Sequence, residues 1–292
     1  MAFRTVLIEN PCRCSYQSGY LCVRQQDGTT KIHLSEISSL VLGTEQVMMS
    51  AYLLAELAKS KIPLVVSDEK HNPVGQYLPL YGAHNVSARV NEQLEWGLPI
   101  KKRVWQRVVK DKIFQQARVL EDNDLLKEAR ALHGAALEVR SGDVTNREAQ
   151  AARIYFSALF GPDFNRSTDC AVNAGLDYGY AILLSMVSRE IAARGYLTQV
   201  GVNHRNEFNQ LNLACDFMEP FRPIVDRLVC TYVSGSFGKD EKRTLVDVGN
   251  TQLAYRGGSY KLHSVVSLYV QDCINALNKK ISVDEIESFD IP

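Results

Sequence analysis

The sequence has no apolar run near the roughly 18 residues that a membrane-spanning helix requires. It also has no internal repeat, no low-complexity tract and no CxxC motif. Its first residues, MAFRTVLIENPCRCS, lack the long apolar stretch and small-residue cleavage site of a signal peptide. These absences argue against a helical membrane protein, a solenoid or a zinc ribbon, and they predict a cytoplasmic protein with no membrane partner. Net charge is missing too, with 33 Lys+Arg against 33 Asp+Glu over 292 residues. A zero sum argues on its face against a nucleic-acid binder, but it says nothing about how the charge is distributed. What is present is 46% hydrophobic residues against 23% charged, enough for a sizeable core and about two domains.

The seven cysteines are scattered, and Cys12-x-Cys14 is the one close pair. No second Cys/His pair stands at metal-ligand spacing, so these read as two reduced thiols near the start of a strand.

Texture changes once along the chain. Residues 5–9, 19–24, 31–34, 37–42, 63–67 and 74–81 are short runs rich in aliphatic, aromatic or β-branched residues, and Asp27-Gly28 is a hairpin signal. Between them, 45–59 carries apolar residues at the spacing of one amphipathic helix. From about residue 87 the pattern turns helical, with helices expected over 88–97, 101–120, 124–139, 147–160, 173–194, 208–219, 223–233 and 259–278. The expected fold class is α+β and multidomain: a small β-sandwich-like domain over 1–83, a linker at 84–86 near Gly82, and a larger all-α domain over 87–292.

Charge is unevenly placed. KKRVWQRVVKDKIFQQAR, residues 101–118, holds seven basic residues against Asp111 alone. Lys101 and Lys102 open the stretch, and Arg103, Arg107 and Lys110 recur at three- to four-residue steps, so they share a helix face suited to phosphates or simply to solvent. At the other end DEIESFD, residues 284–290, has four acidic residues and no basic one, a tail that either docks on a basic partner or stays solvated.

Three polar residues sit awkwardly for a purely structural reading. In TNREAQAARIYFSALF, Glu148 shares a face with Ala152, Tyr155 and Leu159, and an acid there needs a partner. A capping box, with Thr145 as N-cap and Glu148 reaching back to its N–H, would supply one. His204 lies in the polar loop GVNHRNEFNQLN, where a neutral imidazole is a good ligand for divalent metals. Glu219 follows Asp216 by three residues, and Pro220 should turn Glu219 out of α geometry and break the helix there. Two carboxylates at a helix C-terminus oppose the macrodipole, so a role in meeting His204 is the better reading.

The stretches WQRVVKDKIFQQARVL (105–120), TNREAQAARIYF (145–156) and GVNHRNEFNQLNLACDFMEPFRPIVD (201–226) resemble those of the universal CRISPR-associated integrase, the catalytic subunit of spacer acquisition, in its type II form. The similarity includes IPLVVSDEKHNPVGQYLP in the strand-rich part and extends to about residue 275. It implies an enzyme that inserts short captured DNA into a CRISPR array, by attack of a 3′-OH on a repeat phosphodiester. In that family a Glu, a His and an acidic residue hold one Mg²⁺ or Mn²⁺, and those motif positions fall on Glu148, His204 and Glu219. Asp216 becomes a supporting or alternative acid, and Arg153 and Arg205, adjacent to the ligands, become candidates for the scissile phosphate. Implied partners are double-stranded DNA, a second copy of the chain joined through the β domain, a small companion dimer, and in type II systems the effector nuclease and an accessory protein. Two other readings stay open: a stand-alone metal-dependent endonuclease for branched DNA, and a silent DNA-bridging scaffold.

Overall fold

The computed structural model describes residues 4–68, 73–79 and 83–291. Strands come first: β1 (Arg4–Ile8), β2 (Cys12–Gln17), β3 (Tyr20–Gln25), β4 (Gly28–His33), β5 (Ile37–Leu42) and β6 (Val47–Met49). Helix α1 (Ala51–Lys59) and strands β7 (Leu64–Ser67) and β8 (Pro73–Tyr77) complete this part. They build two four-stranded sheets, ordered β1-β5-β7-β8 and β4-β3-β2-β6. Ile37 and Leu40 of the first sheet share one core with Leu21 and Val23 of the second and with Leu53 and Leu57 of α1. Strand β5 is buried along its whole length, as suits a central strand paired in parallel on both sides.

Two sequence expectations need correction here. The helix expected over 45–59 is strand then helix: Val47–Met49 pairs in parallel with β2, and Ser50, whose hydroxyl accepts from Leu53 N at 3.1 Å, caps a shorter α1. Strand β2 was anticipated only as a strand starting near Cys12 and Cys14, without an extent, because CRCSYQ alternates exposed polar residues with buried or half-buried ones instead of presenting a hydrophobic run. Of the strand expected over 74–81, β8 covers the first part; positions 80 and 81, like Gly82 at the expected linker, lie outside the described residues.

Helices follow: α2 (Val86–Leu94), α3 (Leu98–Asp122), α4 (Leu126–Leu137), α5 (Arg147–Phe160), α6 (Ala171–Ala193), α7 (Asn212–Met218), α8 (Arg222–Tyr232) and α9 (Lys239–Val246). A hairpin of β9 (Gln252–Tyr255) and β10 (Gly258–Lys261) then leads into α10 (Leu262–Leu277). The larger part is therefore helical with a two-stranded insertion. Residues 259–261, expected to start a helix, belong instead to β10, because Arg256 and Gly257 both take positive φ (50° and 71°) and close a two-residue hairpin. Helix α9 carries no apolar period to betray it, because KDEKRTLV is nearly all polar.

The long helices α3, α6 and α10 pack around one core that includes Trp105, Val109, Leu183, Phe217, Tyr269 and Val270. Gly179 lets α6 approach α8 closely, since a Cβ there would meet Val225 Cγ1 at 2.4 Å. The strand-rich part is tied to the helical one by Gln76 to Ser188, by Arg189 to the Lys61 carbonyl, and by the Arg243–Glu9 ion pair. All seven cysteines are free. Among the described residues, no helix is long and apolar enough to cross a membrane.

Candidate functional site

Helix α3 carries an unusual load of buried polar groups: Asp111, Lys112, Gln115 and Gln116 are all within 9% exposure. Burying charge is costly unless it is paired. Lys112 finds two partners, with Nζ 2.7 Å from Glu148 Oε1 and 2.6 Å from Glu219 Oε2. Glu219, only 3% exposed, sets its other oxygen 3.0 Å from Arg222 Nε. Glu219 is thus held at close range by two cations, Lys112 on Oε2 and Arg222 on Oε1. Burial pushes the Glu219 carboxyl up, but the charges of Lys112 and Arg222 outweigh it and hold the group below the usual carboxylate range. Burial works against the Lys112 ammonium in the same way, and Glu219 and Glu148 reverse the sign.

Glu148 enters the site from the first turn of α5. The capping box expected for it does not form. Asn146 adopts the left-handed region at φ 52°, and Asp143 caps the helix instead, accepting from Arg147 N at 2.8 Å and Glu148 N at 3.0 Å. Thr145 Oγ1 is left buried without a partner. Released from capping, the Glu148 side chain is committed to Lys112.

His204 is set by Asp216, which is fully buried in α7. The backbone N–H groups of Val202, Asn203 and His204 all donate to the Asp216 carboxylate, and the ring Nδ1–H donates at 2.7 Å. That last bond fixes the tautomer and leaves the Nε2 lone pair for a ligand. It is also the first cause of a raised His204 pKa; burial opposes it, and the charges of Asp216, Glu219 and Glu148 add to it. The edge of Trp105 packs against the imidazole at 5.7 Å. Gly201 makes the tight loop possible, because a Cβ there would lie 2.4 Å from the His204 carbonyl and 2.8 Å from Asp216 Oδ2.

Glu219 departs from its expected backbone. It keeps α geometry at φ −53°, ψ −44°, and the chain runs from α7 through a 3₁₀ turn at Glu219–Phe221 straight into α8. Pro220 and Pro223 occupy first-turn positions, where a missing N–H costs nothing. Glu219 is therefore aimed inward by a continuous helical rod.

Glu148, Glu219 and His204 thus share one neighbourhood, while Asp216 touches only the histidine and its loop. As placed, no three His, Cys, Asp or Glu side chains among the described residues stand together as a metal-holding group. Lys112 sits between the two glutamates instead. The donors nonetheless fit a hard divalent cation: two carboxylates converge on one point that a cation already occupies, and an imidazole offers Nε2. Cys215 nearby is no nucleophile, since burial raises its thiol pKa.

The basic residues divide. Arg107 is not free for phosphate: Nε lies 2.9 Å from buried Asp111 and its guanidinium donates to Ser288. Arg103 pairs with Asp284 at 3.3 Å. The acidic tail thus lies along the basic helix of its own chain; Phe289 stacks on Phe221 at 4.7 Å, and its carbonyl accepts from Gln115. Lys102 and Lys110 stay on the surface of α3 or half-buried, with the Lys102 stem against Gly142. Lys101 donates to the Gly201 carbonyl and, with His204, Arg205 and Asn206, lines an open cavity of about 410 Å³. Arg153 and Arg205 are exposed, and Phe208, four residues after His204, is 87% exposed.

The family model described as "CRISPR associated protein Cas1" matches residues 5–243. The chain belongs to the Cas1 family. A CRISPR-associated endonuclease Cas1 from Neisseria meningitidis serogroup C is 41% identical over 231 residues, which cover 78% of this chain and 75% of the relative. Among solved structures, a casposase bound to integration product superposes with a TM-score of 0.77 at 16% identity, covering 98% of this chain and 96% of that one. A chain of a Cas6-RT-Cas1–Cas2 complex gives 0.76 at 19% identity, over 98% of this chain and 36% of its own. At these identities the likeness is one of fold, and it bears out the α+β architecture of strands followed by a helical domain.

Sequence reasoning missed Lys112, Arg222 and Asp143. Lys112 was legible in principle, since positions 105, 108, 109 and 112 of α3 follow the helical period and place it on the buried face with Trp105, Val108 and Val109.

Proposed function

We propose that this chain is the metal-dependent integrase of CRISPR adaptation, joining the 3′-OH of a short captured DNA to a phosphodiester at a repeat end. The observation that carries the reading is the convergence of Glu148 and Glu219 on one buried point beside an Asp216-clamped histidine, in a chain of the Cas1 family. Glu148, Glu219 and His204 Nε2 would hold one Mg²⁺ or Mn²⁺, which when bound polarises the phosphoryl oxygen and stabilises the leaving 3′-oxygen. Asp216 keeps the imidazole in the required tautomer and orientation. Trp105 limits water on one side of the ring. The exposed Arg153 and Arg205, with Lys101 in the adjoining cavity, hold phosphates without reading sequence, as an enzyme that accepts arbitrary inserts requires. Phe208 offers its ring to an unstacked base.

The same reading takes the strands of residues 1–83 as the pairing surface for a second copy. It takes a small companion protein, of the kind named in the Cas1–Cas2 complex, as a further partner. The type II effector nuclease and an accessory protein complete the proposed set.

The test incubates the chain, with and without companion, with a supercoiled repeat-bearing plasmid, Mn²⁺ or Mg²⁺, and a labelled 3′-OH duplex. Label joined to plasmid, and lost in Glu148→Ala and His204→Ala, is the expected result. Cutting without joining would make the chain a stand-alone nuclease, and binding alone would make it a scaffold.

A further inference from the structure

Lys112 plays no part in the chemistry above, yet it occupies the point where the two glutamates converge. Its side chain is 11% exposed, and its ammonium touches one oxygen of each carboxylate. Glu148 and Glu219 face Lys112 and Arg222, and the buried Asp226 carboxyl lies near the same two cations. A divalent ion seated between the two glutamates needs the place that a resident cation fills. Arg222 is the fixed one: its Nε faces Glu219 Oε1 at 3.0 Å, and its guanidinium plane lies over the Tyr180 ring at 4.6 Å. Lys112 is the movable one, a point charge on a flexible four-carbon stem that bridges the two glutamates.

We infer that Lys112 is the built-in counter-ion of the metal-free site, holding Glu148 and Glu219 in place until a divalent cation displaces its ammonium. The inference rests on the proposed metal reading and adds to it. Two carboxylates facing one divalent ion balance its charge, while the displaced ammonium and Arg222 make the surroundings cationic, as an incoming phosphodiester requires. Lys112 is thus a positioning residue in the metal-free protein and sets the concentration of metal at which the site loads.

The full chain is titrated with Mn²⁺ at pH 8, free ion being read by electron paramagnetic resonance, for wild type and Lys112→Met. Met keeps the stem length and removes the charge. The variant is expected to bind Mn²⁺ at least tenfold more tightly, and to melt at a lower temperature than wild type in EDTA, with the deficit closing when Mn²⁺ is added. In parallel, wild-type protein is acetylated with an amine-reactive ester and read by mass spectrometry. Lys112 is expected to label several-fold faster in saturating Mn²⁺ than in EDTA. If Lys112→Met does not fold, the wild-type labelling decides. Mn²⁺ binding of equal or lower affinity in a folded variant, or unchanged Lys112 labelling in Mn²⁺-loaded wild type, overturns this inference and leaves the metal reading standing. No Mn²⁺ binding by wild-type protein overturns both.

Discussion

Asp216 grips His204 twice, through the backbone N–H at 3.0 Å and through ring Nδ1 at 2.7 Å. An amide in its place has one acceptor oxygen for four donors. Asp216→Asn should therefore lower Mn²⁺ affinity and strand joining by about 10- to 100-fold, as loss of a ligand-orienting partner typically does. Circular dichroism should remain that of a folded protein. Unaltered Mn²⁺ binding in the variant would mean that the carboxylate serves the loop alone.

Gly201→Ala tests the same loop from its other side. The added methyl would meet the His204 carbonyl at 2.4 Å and Asp216 Oδ2 at 2.8 Å. Overpacking of this kind costs about 1–3 kcal/mol. Urea unfolding should register that loss, and joining should fall further than stability does, because the displaced atoms belong to the histidine's own support.

The DNA-binding arginines are separable from the structural ones. Arg153→Ala and Arg205→Ala should weaken duplex binding and flatten its dependence on salt, by about one unit of log–log slope for each phosphate that is no longer neutralised. Arg107→Ala should instead destabilise the chain, because it strips buried Asp111 of its cation. A salt titration and a melting curve on each variant distinguish the two classes.

Asp226, which feels the charges of Arg222 and Lys112 behind the site, supplies a pH signature of its own. It is fully buried and accepts from Tyr180, and burial pushes its carboxyl from 3.8 up to about 6. A carboxyl that ionises later in the folded chain than in the unfolded one favours folding below its unfolded value. It loses that advantage as pH rises through the folded value. The window here is about 4 to 6, worth roughly 3 kcal/mol in all. Asp226→Asn should remove this slope, so that the stability difference between variant and wild type shifts in the variant's favour between pH 4.5 and pH 7. Parallel curves for the two proteins in denaturant titrations at those pH values would contradict the assignment.

The tail gives a contrast in magnitude. Phe289 is fully buried and stacked on Phe221, two residues from Glu219, so Phe289→Ala should cost about 3–5 kcal/mol. The Arg103–Asp284 pair is exposed on both sides, and Asp284→Ala should shift stability by less than about 1 kcal/mol. Chemical denaturation reads both.

What the sequence discloses about this site follows from how local each cause is. Helix α5 was legible to the residue, because its apolar period is strong and Gly161 ends it. Glu148, His204 and Glu219 could be singled out because each is a polar group in an ill-fitting setting. Their surroundings could not be read, since they depend on tertiary contacts. Asp143 displaces Thr145 as the cap only because the preceding turn carries positive φ at Gly142 and Asp143. Arg107 reads as a free cation until the tail, some 180 residues later, brings Ser288 against it. Pro220 reads as a helix break at Glu219, but the α8 rod carries the chain through.

The strand-rich part and the helical part each enclose their own hydrophobic cluster, and the seam between them packs β1, β5 and β8 against α6 and α9, with Leu7 and polar contacts across it. Two clusters of this kind are expected to unfold as separate cooperative units, which two transitions in a denaturant titration would show. Lys112, Glu148, His204 and Glu219 all lie in the helical part, so loosening of the β layers would first cost the placement of that centre relative to anything the layers hold.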